Sequence, residues 1–578
     1  MNISVKFHLL TTITALLLAG CSNGDSPSAV AVNEILTVDQ VRAIPKGTPG
    51  YIRTVVEGTE PTDLSVTFFD VIGEAADGMI MARTADDRFK LYGGVVAGMS
   101  GAPLYLTDST GGGEKLVGAL SAAFLAQQEG EGYFFLATPI EAMFDDLLSK
   151  PRLKNETPAH PSAGGRFDFS PKFKEALRAA AGPGTVVPVP LTHLLSGATQ
   201  ERLDAYLTAA PAPEGLSLIR EMNLSAADAK PGVSVNTTFN PGDTISAKII
   251  TGDLITWGAI GSVTWSDGQT LLAFGHPFLS IGETSLPFSG GKVYGVINNL
   301  FLPFKFALSG AQTMGTLTLE SPSGVRGTIG VSPEMLGIQT FTPLPDGSVE
   351  SADHSVAYTP LLPIAAALAA VLPADSSYAG STDLTLSYNL DISFKETPLH
   401  LQRLDTISQY NPFPQAFLDL WWIMSSLWYS NLNRVALLTP TQITLIATVT
   451  QGRNDIELLE VASPPSITPG QDLTLTLKLQ PFREAIQTQQ EVIPIPTGFP
   501  TGDGLLTVGP APLMEDWGIS GSTAELLNNL ATRRLRHNLK MTLESGPATL
   551  EQYIPLICSV PPCSGPVTGL IRHPITLQ

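Results

Sequence analysis

The sequence predicts a mainly β protein built from several units, and three features carry that expectation. Hydrophobic residues make up 43% of the chain and charged residues only 15%, which supplies packed cores and leaves too little polarity for wholesale disorder. The 53 Gly and 46 Pro mark frequent turns between short elements. Alternating and apolar runs of strand length recur, among them "YIRTVV", "SVTFFDVIG" and "DLTLTLKLQ". A chain of 578 residues is expected to divide into about four units. Its formal charge of -20, with no basic stripe to offset it, argues against nucleic acid as a partner.

The opening "MNISVKFHLLTTITALLLAGCSNGDSPS" has a lysine, an apolar run and small residues ending at Cys21, the pattern of a secretory signal over residues 1–20. Leu18-Ala19-Gly20-Cys21 resembles the bacterial lipobox, which implies acylation of Cys21 and a lipid anchor in the bacterial cell envelope. Ser22 looks like an outer-membrane sorting residue, which implies a site facing the periplasm or the cell surface. Residues 21–36 read as the lipidated tether, and no later apolar stretch is both long and unbroken enough to span a bilayer.

Residues 37–150 form the first strand-rich unit, built around "VVAGMSGAPLYL". It closes on Thr138-Pro139-Ile140-Glu141, a capping box with proline in the first turn, opening the helix "IEAMFDDLL". From 151 to 232 the composition shifts to Pro, Ala and helical patches such as "PKFKEALRAA" and "TQERLDAYLTAA", which predicts a helical connector without sheet partners. Strands resume over 233–335, where Ser266-Asp267-Gly268 turns a hairpin into "QTLLAFGHPF". Residues 336–455 mix strands with an apolar helix, "LLPIAAALAAVL", and a Trp-rich helix, "PQAFLDLWWIMSSLWYSNL", whose tryptophans suit a core. Strict alternation in "DLTLTLKLQ", followed by "QEVIPIPTGFP" and "GLLTVG", suggests an Ig-like β-sandwich over 456–510, and 511–578 is expected to be a helix followed by a disulfide loop. Cys558 and Cys563, in "CSVPPC", are the only thiols besides Cys21, and outside the cytoplasm such a pair oxidises. No metal is expected there, because His573 is the only histidine close by in sequence. No internal repeat is evident, although the units around Ser100 and His276 are similar in size.

Ser100 lies in Gly-Met-Ser-Gly-Ala-Pro at the end of an apolar run, a stretch that suits a nucleophile or a strand-to-strand corner. A serine hydroxyl attacks at neutral pH only when a base takes its proton. Of the eight histidines, His276 alone stands at a strand end between Gly275 and Pro277, the irregular kind of corner where a rigid sheet presents functional side chains. His8 leaves with the signal, His160 and His193 fall in the connector, and His354, His400, His537 and His573 lack such a context. Taken alone, His276 reads first as a hydrogen-bonded turn histidine and second as a base.

The stretch "GGVVAGMSGAPLYLTDSTGGGEKLVGALSAAF", with "TPIEAMFDDLL", resembles the serine-bearing half of the SpoIVB-type serine peptidase family, whose motif is Gly-Met-Ser-Gly-Ser-Pro. "GAIGSVTWSDGQTLLAFGHPF" resembles the histidine-bearing half. Ala102 stands where the motif has its second serine, and the serine half comes first, as in a permuted envelope-protein relative. The helix "LLPIAAALAAVL" and the Pro-Gly-x-x-Leu-x-Leu sandwich also resemble those relatives, and no PDZ segment is present.

The resemblance implies a chymotrypsin-like double β-barrel and a lipid-anchored serine endopeptidase. Ser100 would be the nucleophile, His276 the base, the Gly98 and Ser100 amides the oxyanion donors, and Asp86, with Asp87 as rival, the orienting acid. No cofactor is implied. The expected partners are an extended protein or peptide segment in the envelope, pairing with "LVGALSAAF" by strand addition, and the membrane through the anchor. The alternative is an inactive peptidase-like lipoprotein that binds peptides or scaffolds an envelope assembly.

Overall fold

The computed structural model describes residues 35–73, 78–107, 113–124, 132–149, 186–188, 192–195, 200–209, 223–224, 234–298, 303–378, 382–430, 432–511, 520–532, 535–556 and 566–578. Cys21, Cys558, Cys563 and the run "PKFKEALRAA" lie outside them.

Strand dominates, and two closed six-stranded barrels organise the molecule. The first takes Pro49–Thr54, Thr62–Ile72, Met79–Thr84, Pro103–Thr107, Glu114–Phe124 and Phe134–Pro139 as its first to sixth strands. They follow one another around the barrel as 1-2-3-6-5-4, and the fourth pairs back onto the first. Alternation does the work inside: Leu64, Val66 and Phe68 of the second strand are all buried in the barrel core.

The second barrel takes Thr244–Gly252, Trp257–Ser266, Thr270–Ala273, Glu283–Ile297, Gly315–Ser321 and Gly324–Ile329. Its cyclic order is the same. The chain therefore carries a repeat of topology that its residues do not reveal. Ser100 and His276 occupy equivalent places in it, each in the connection from the third strand to the fourth.

Among the described residues of the connector both a helix and short strands occur. Gln200–Ala209 is a helix, but Val186–Pro188 adds antiparallel to Ala122–Phe124 of the first barrel, and Thr192–Leu195 adds to Trp257–Ile260 of the second. Proline is tolerated at such sheet edges, which is why "VVPVP" does not announce a strand.

No break falls at residue 335. Thr244–Gly252 continues through Val349–Ala357, Met335–Pro343, Pro440–Gln451 and Asp383–Phe394 to Leu401–Tyr410 as one sheet. The helices Leu362–Ser376 and Phe413–Trp428 share one hydrophobic core with the second barrel. Trp428 is buried there, and its indole N–H donates to Thr359 O at 3.0 Å.

The C-terminal sandwich is also larger than the strictly alternating segment. One sheet joins Gln487–Pro494, Asp472–Pro481, Ile456–Ala462 and Val567–Thr568; the other joins Ser466–Ile467, Ile571–Leu577, Gly502–Pro510, Asn538–Ser545 and Ala548–Pro555. Strands from the expected tail thus complete it, because Leu539, Met541 and Leu543 supply an inward face to the common core.

Candidate functional site

The serine turn is positioned by its own backbone. Gly98 and Gly101 both have φ of 87°, the left-handed region that glycine enters without a Cβ penalty. Met99 N donates to Val96 O at 3.0 Å, Ala102 N to Met99 O at 2.9 Å, and Gly101 N to Leu120 O at 2.8 Å. A Cβ on Gly101 would lie 2.2 Å from Ser262 O and 2.3 Å from Phe274 N, so the second barrel closes on bare backbone here. Ser262 N reaches Ser100 O at 2.7 Å, and the Thr264 hydroxyl donates to Gly101 O at 2.8 Å.

The histidine corner is built differently. Phe274, buried and with φ of 70°, is the centre of a three-residue turn closed by Gly275 N on Ala273 O at 2.9 Å. A bulky residue in this region stores strain, on the order of 1–3 kcal/mol. Thr138, from the first barrel, donates its hydroxyl to Gly275 O at 2.7 Å. That use displaces the expected capping box: Pro139 is the N-cap of Ile140–Phe144 and makes no side-chain cap bond. Glu141 instead accepts from Val38 N at 2.8 Å.

These two corners bring Ser100 Oγ to 2.8 Å from His276 Nε2. His276 Nδ1 lies 2.8 Å from Pro277 O. A carbonyl only accepts, so Nδ1 carries the hydrogen and Nε2 presents its lone pair to the hydroxyl. This is the tautomer a general base requires. Ser100 has no exposed surface and His276 is 2% exposed. A polar cleft of about 540 Å³ between the barrels is lined by Arg53, Glu60, Asp63, Asn236 and Asp243, and its lining includes neither residue.

The expected acid is placed elsewhere. Asp86 Oδ1 accepts from Arg88 N at 3.0 Å and Nε at 2.8 Å, and Oδ2 accepts from Nη2 at 2.6 Å. The Arg88 guanidinium holds this carboxyl below its usual range. Asp87 is exposed and pairs with Lys90 at 3.2 Å. Arg88 lies two residues from Asp86 and its fork matches a carboxylate bidentately, so the local pair forms. The position beside Nδ1 belongs to the Pro277 carbonyl.

Two buried charged residues at this site were not singled out by the sequence. Glu320 Oε2 accepts from the amides of Phe278 at 3.1 Å, Leu279 at 2.7 Å and Ser280 at 2.8 Å. Burial pushes its carboxyl up to about 7, against the downward pull of those amides. Lys305 Nζ donates to Thr54 Oγ1 at 2.7 Å, and Thr54 Oγ1 lies 2.9 Å from Ser262 Oγ, under the serine turn. Burial pushes this lysine down to about 7. Its backbone N donates to Ala97 O at 3.1 Å, tying the strand Phe304–Ser309 to the serine turn.

No protein-family model, curated protein or solved structure matches the chain.

Proposed function

We propose that this protein is a serine endopeptidase resembling the SpoIVB type with permuted halves, anchored in a bacterial envelope through Cys21. The observation that carries the reading is the Ser100–His276 hydrogen bond of 2.8 Å, with Nδ1 committed to Pro277 O. In this mechanism Nε2 takes the hydroxyl proton as Oγ attacks a substrate carbonyl, then returns it to the leaving amine. The Gly98 and Ser100 amides are assigned to receive the oxyanion. An extended substrate pairs at Ala122–Phe124 in place of the chain's own Val186–Pro188, which runs antiparallel there. Pro188 faces Ala122 and Val186 faces Phe124, so this segment runs towards Leu120, whose carbonyl holds Gly101.

One observation favours a second reading. Both side chains are buried, so the same hydrogen bond also serves a scaffold lipoprotein as a clasp between barrels. A fluorophosphonate probe separates the two. Covalent labelling of the folded chain at Ser100, mapped by mass spectrometry and absent in Ser100→Ala, supports the peptidase; a folded chain that takes no label supports the scaffold.

A further inference from the structure

We propose that Glu320 is the positioning residue for His276, acting through the single peptide group that joins Pro277 to Phe278. The catalytic part of this inference rests on the peptidase reading above.

The two ends of that peptide group face two different partners. Its carbonyl, Pro277 O, lies 2.8 Å from His276 Nδ1, and its amide, Phe278 N, lies 3.1 Å from Glu320 Oε2. In a planar trans peptide the C=O and N–H point in opposite directions, so imidazole and carboxylate stand at opposite ends of one dipole. Negative charge at the amide end strengthens the carbonyl as an acceptor. The strengthened carbonyl holds the Nδ1–H tautomer and stabilises the imidazolium formed when Ser100 gives up its proton. No proton moves along the relay; Glu320 acts when ionised, as a fixed charge one peptide group away from the ring.

The carboxylate is fixed well enough to do this. Leu279 and Ser280 amides hold the same oxygen at 2.7 and 2.8 Å, and Glu320 N donates to Gly282 O at 2.7 Å. The hairpin turn after Glu320 braces the other side of the corner, where a Cβ on Gly324 would lie 2.9 Å from Ala273 O. Other charges on the neighbouring strands are directed elsewhere: Arg326 donates to Leu147 O at 2.8 Å, and Glu283 is exposed. Asp86 is bound to Arg88.

The test uses the full chain with ¹⁵N-labelled histidine and reads the His276 ring by NMR, with no substrate. Glu320→Gln is expected to lower the His276 pKa and weaken the Nδ1–H bond. Glu320→Asp keeps the charge but draws the carboxylate back from Phe278 N, and should do the same. Fluorophosphonate labelling of Ser100 should slow about tenfold to hundredfold in both, with the half-saturating probe concentration unchanged. That is less than the loss of about 10⁴ seen when an acid that sets the tautomer directly is neutralised, because here the carbonyl still sets it. A His276 ring that titrates alike in wild type and in both variants overturns the relay. If Glu320→Gln does not fold, Glu320→Asp decides alone. If wild-type Ser100 takes no label, the peptidase reading fails while the titration still decides the relay.

Discussion

The two barrels share one strand order and place Ser100 and His276 in the same connection, yet they hold them by different means. At Ser100 the turn is fixed by backbone hydrogen bonds and two left-handed glycines. At His276 the corner is fixed by a buried carboxylate, a strained phenylalanine and a threonine from the other barrel. On the peptidase reading the difference has a reason: a nucleophile needs location and nearby amides, which backbone provides. A base needs ring orientation and a charge environment, which takes side chains. One topology used twice supplies the place; the chemistry is then written separately into each copy.

The largest effect that tests this division is on hydrolysis. Ser100→Ala and His276→Ala should each remove nearly all turnover of a cleaved peptide, about 10⁴-fold or more, with unchanged circular dichroism, because the pair acts as a unit. Equal activity in either variant breaks the comparison outright. Next comes the contact between the copies. Gly101→Ala should destabilise by about 3–5 kcal/mol in urea, since its Cβ meets Ser262 O and Phe274 N and its φ is left-handed. Gly113→Ala, left-handed but in open space on the same barrel, should lose only about 1 kcal/mol.

A third test separates the barrels by pH. His354 Nε2 accepts from Leu254 N at 3.3 Å and Ile255 N at 3.0 Å, on the strand that flanks the histidine barrel. Burial pushes its pKa down to about 4. A depressed folded pKa means that stability present at neutral pH is lost as pH falls from about 6.5 through about 4. Relative to His354→Gln, wild type should lose about 2–3 kcal/mol over that window. Hydrogen exchange should locate the loosening on the histidine side; equal loosening in the serine barrel would contradict it. The smallest effect belongs to the seam: Thr264→Val deletes the bond to Gly101 O and should cost about 1 kcal/mol in urea unfolding.

Much of the pair was legible because both residues stand at glycine-marked corners between apolar runs. Glu320 was not, and a bulge explains why. In "GTLTLES" strict alternation puts Glu320 opposite the leucines, on a polar face; the register shift between Leu317 and Leu319 turns it inward. Asp86 misled for the opposite reason, since its neighbour Arg88 satisfies it locally and spacing cannot show which partner wins. Thr138 looked like a helix cap because the cap is a local pattern, whereas its real acceptor, Gly275 O, lies far along the chain. The sandwich was read short because Asn538–Ser545 lies in the tail expected to be a helix followed by a loop, whereas it forms a strand. The barrel repeat stayed hidden because strand order is set by which edges meet, not by shared residues.

The order of the two barrels along the chain has a consequence for how the protein is made. The strands of the serine barrel are complete by Pro139, whereas the histidine arrives at residue 276, in a barrel whose last strand ends at Ile329. At ribosomal speeds of about 5–20 residues per second, residue 276 follows residue 139 by on the order of ten seconds. On the peptidase reading, a chain that has emerged only that far holds the serine without its base, so chain order keeps it from attacking itself or its neighbours.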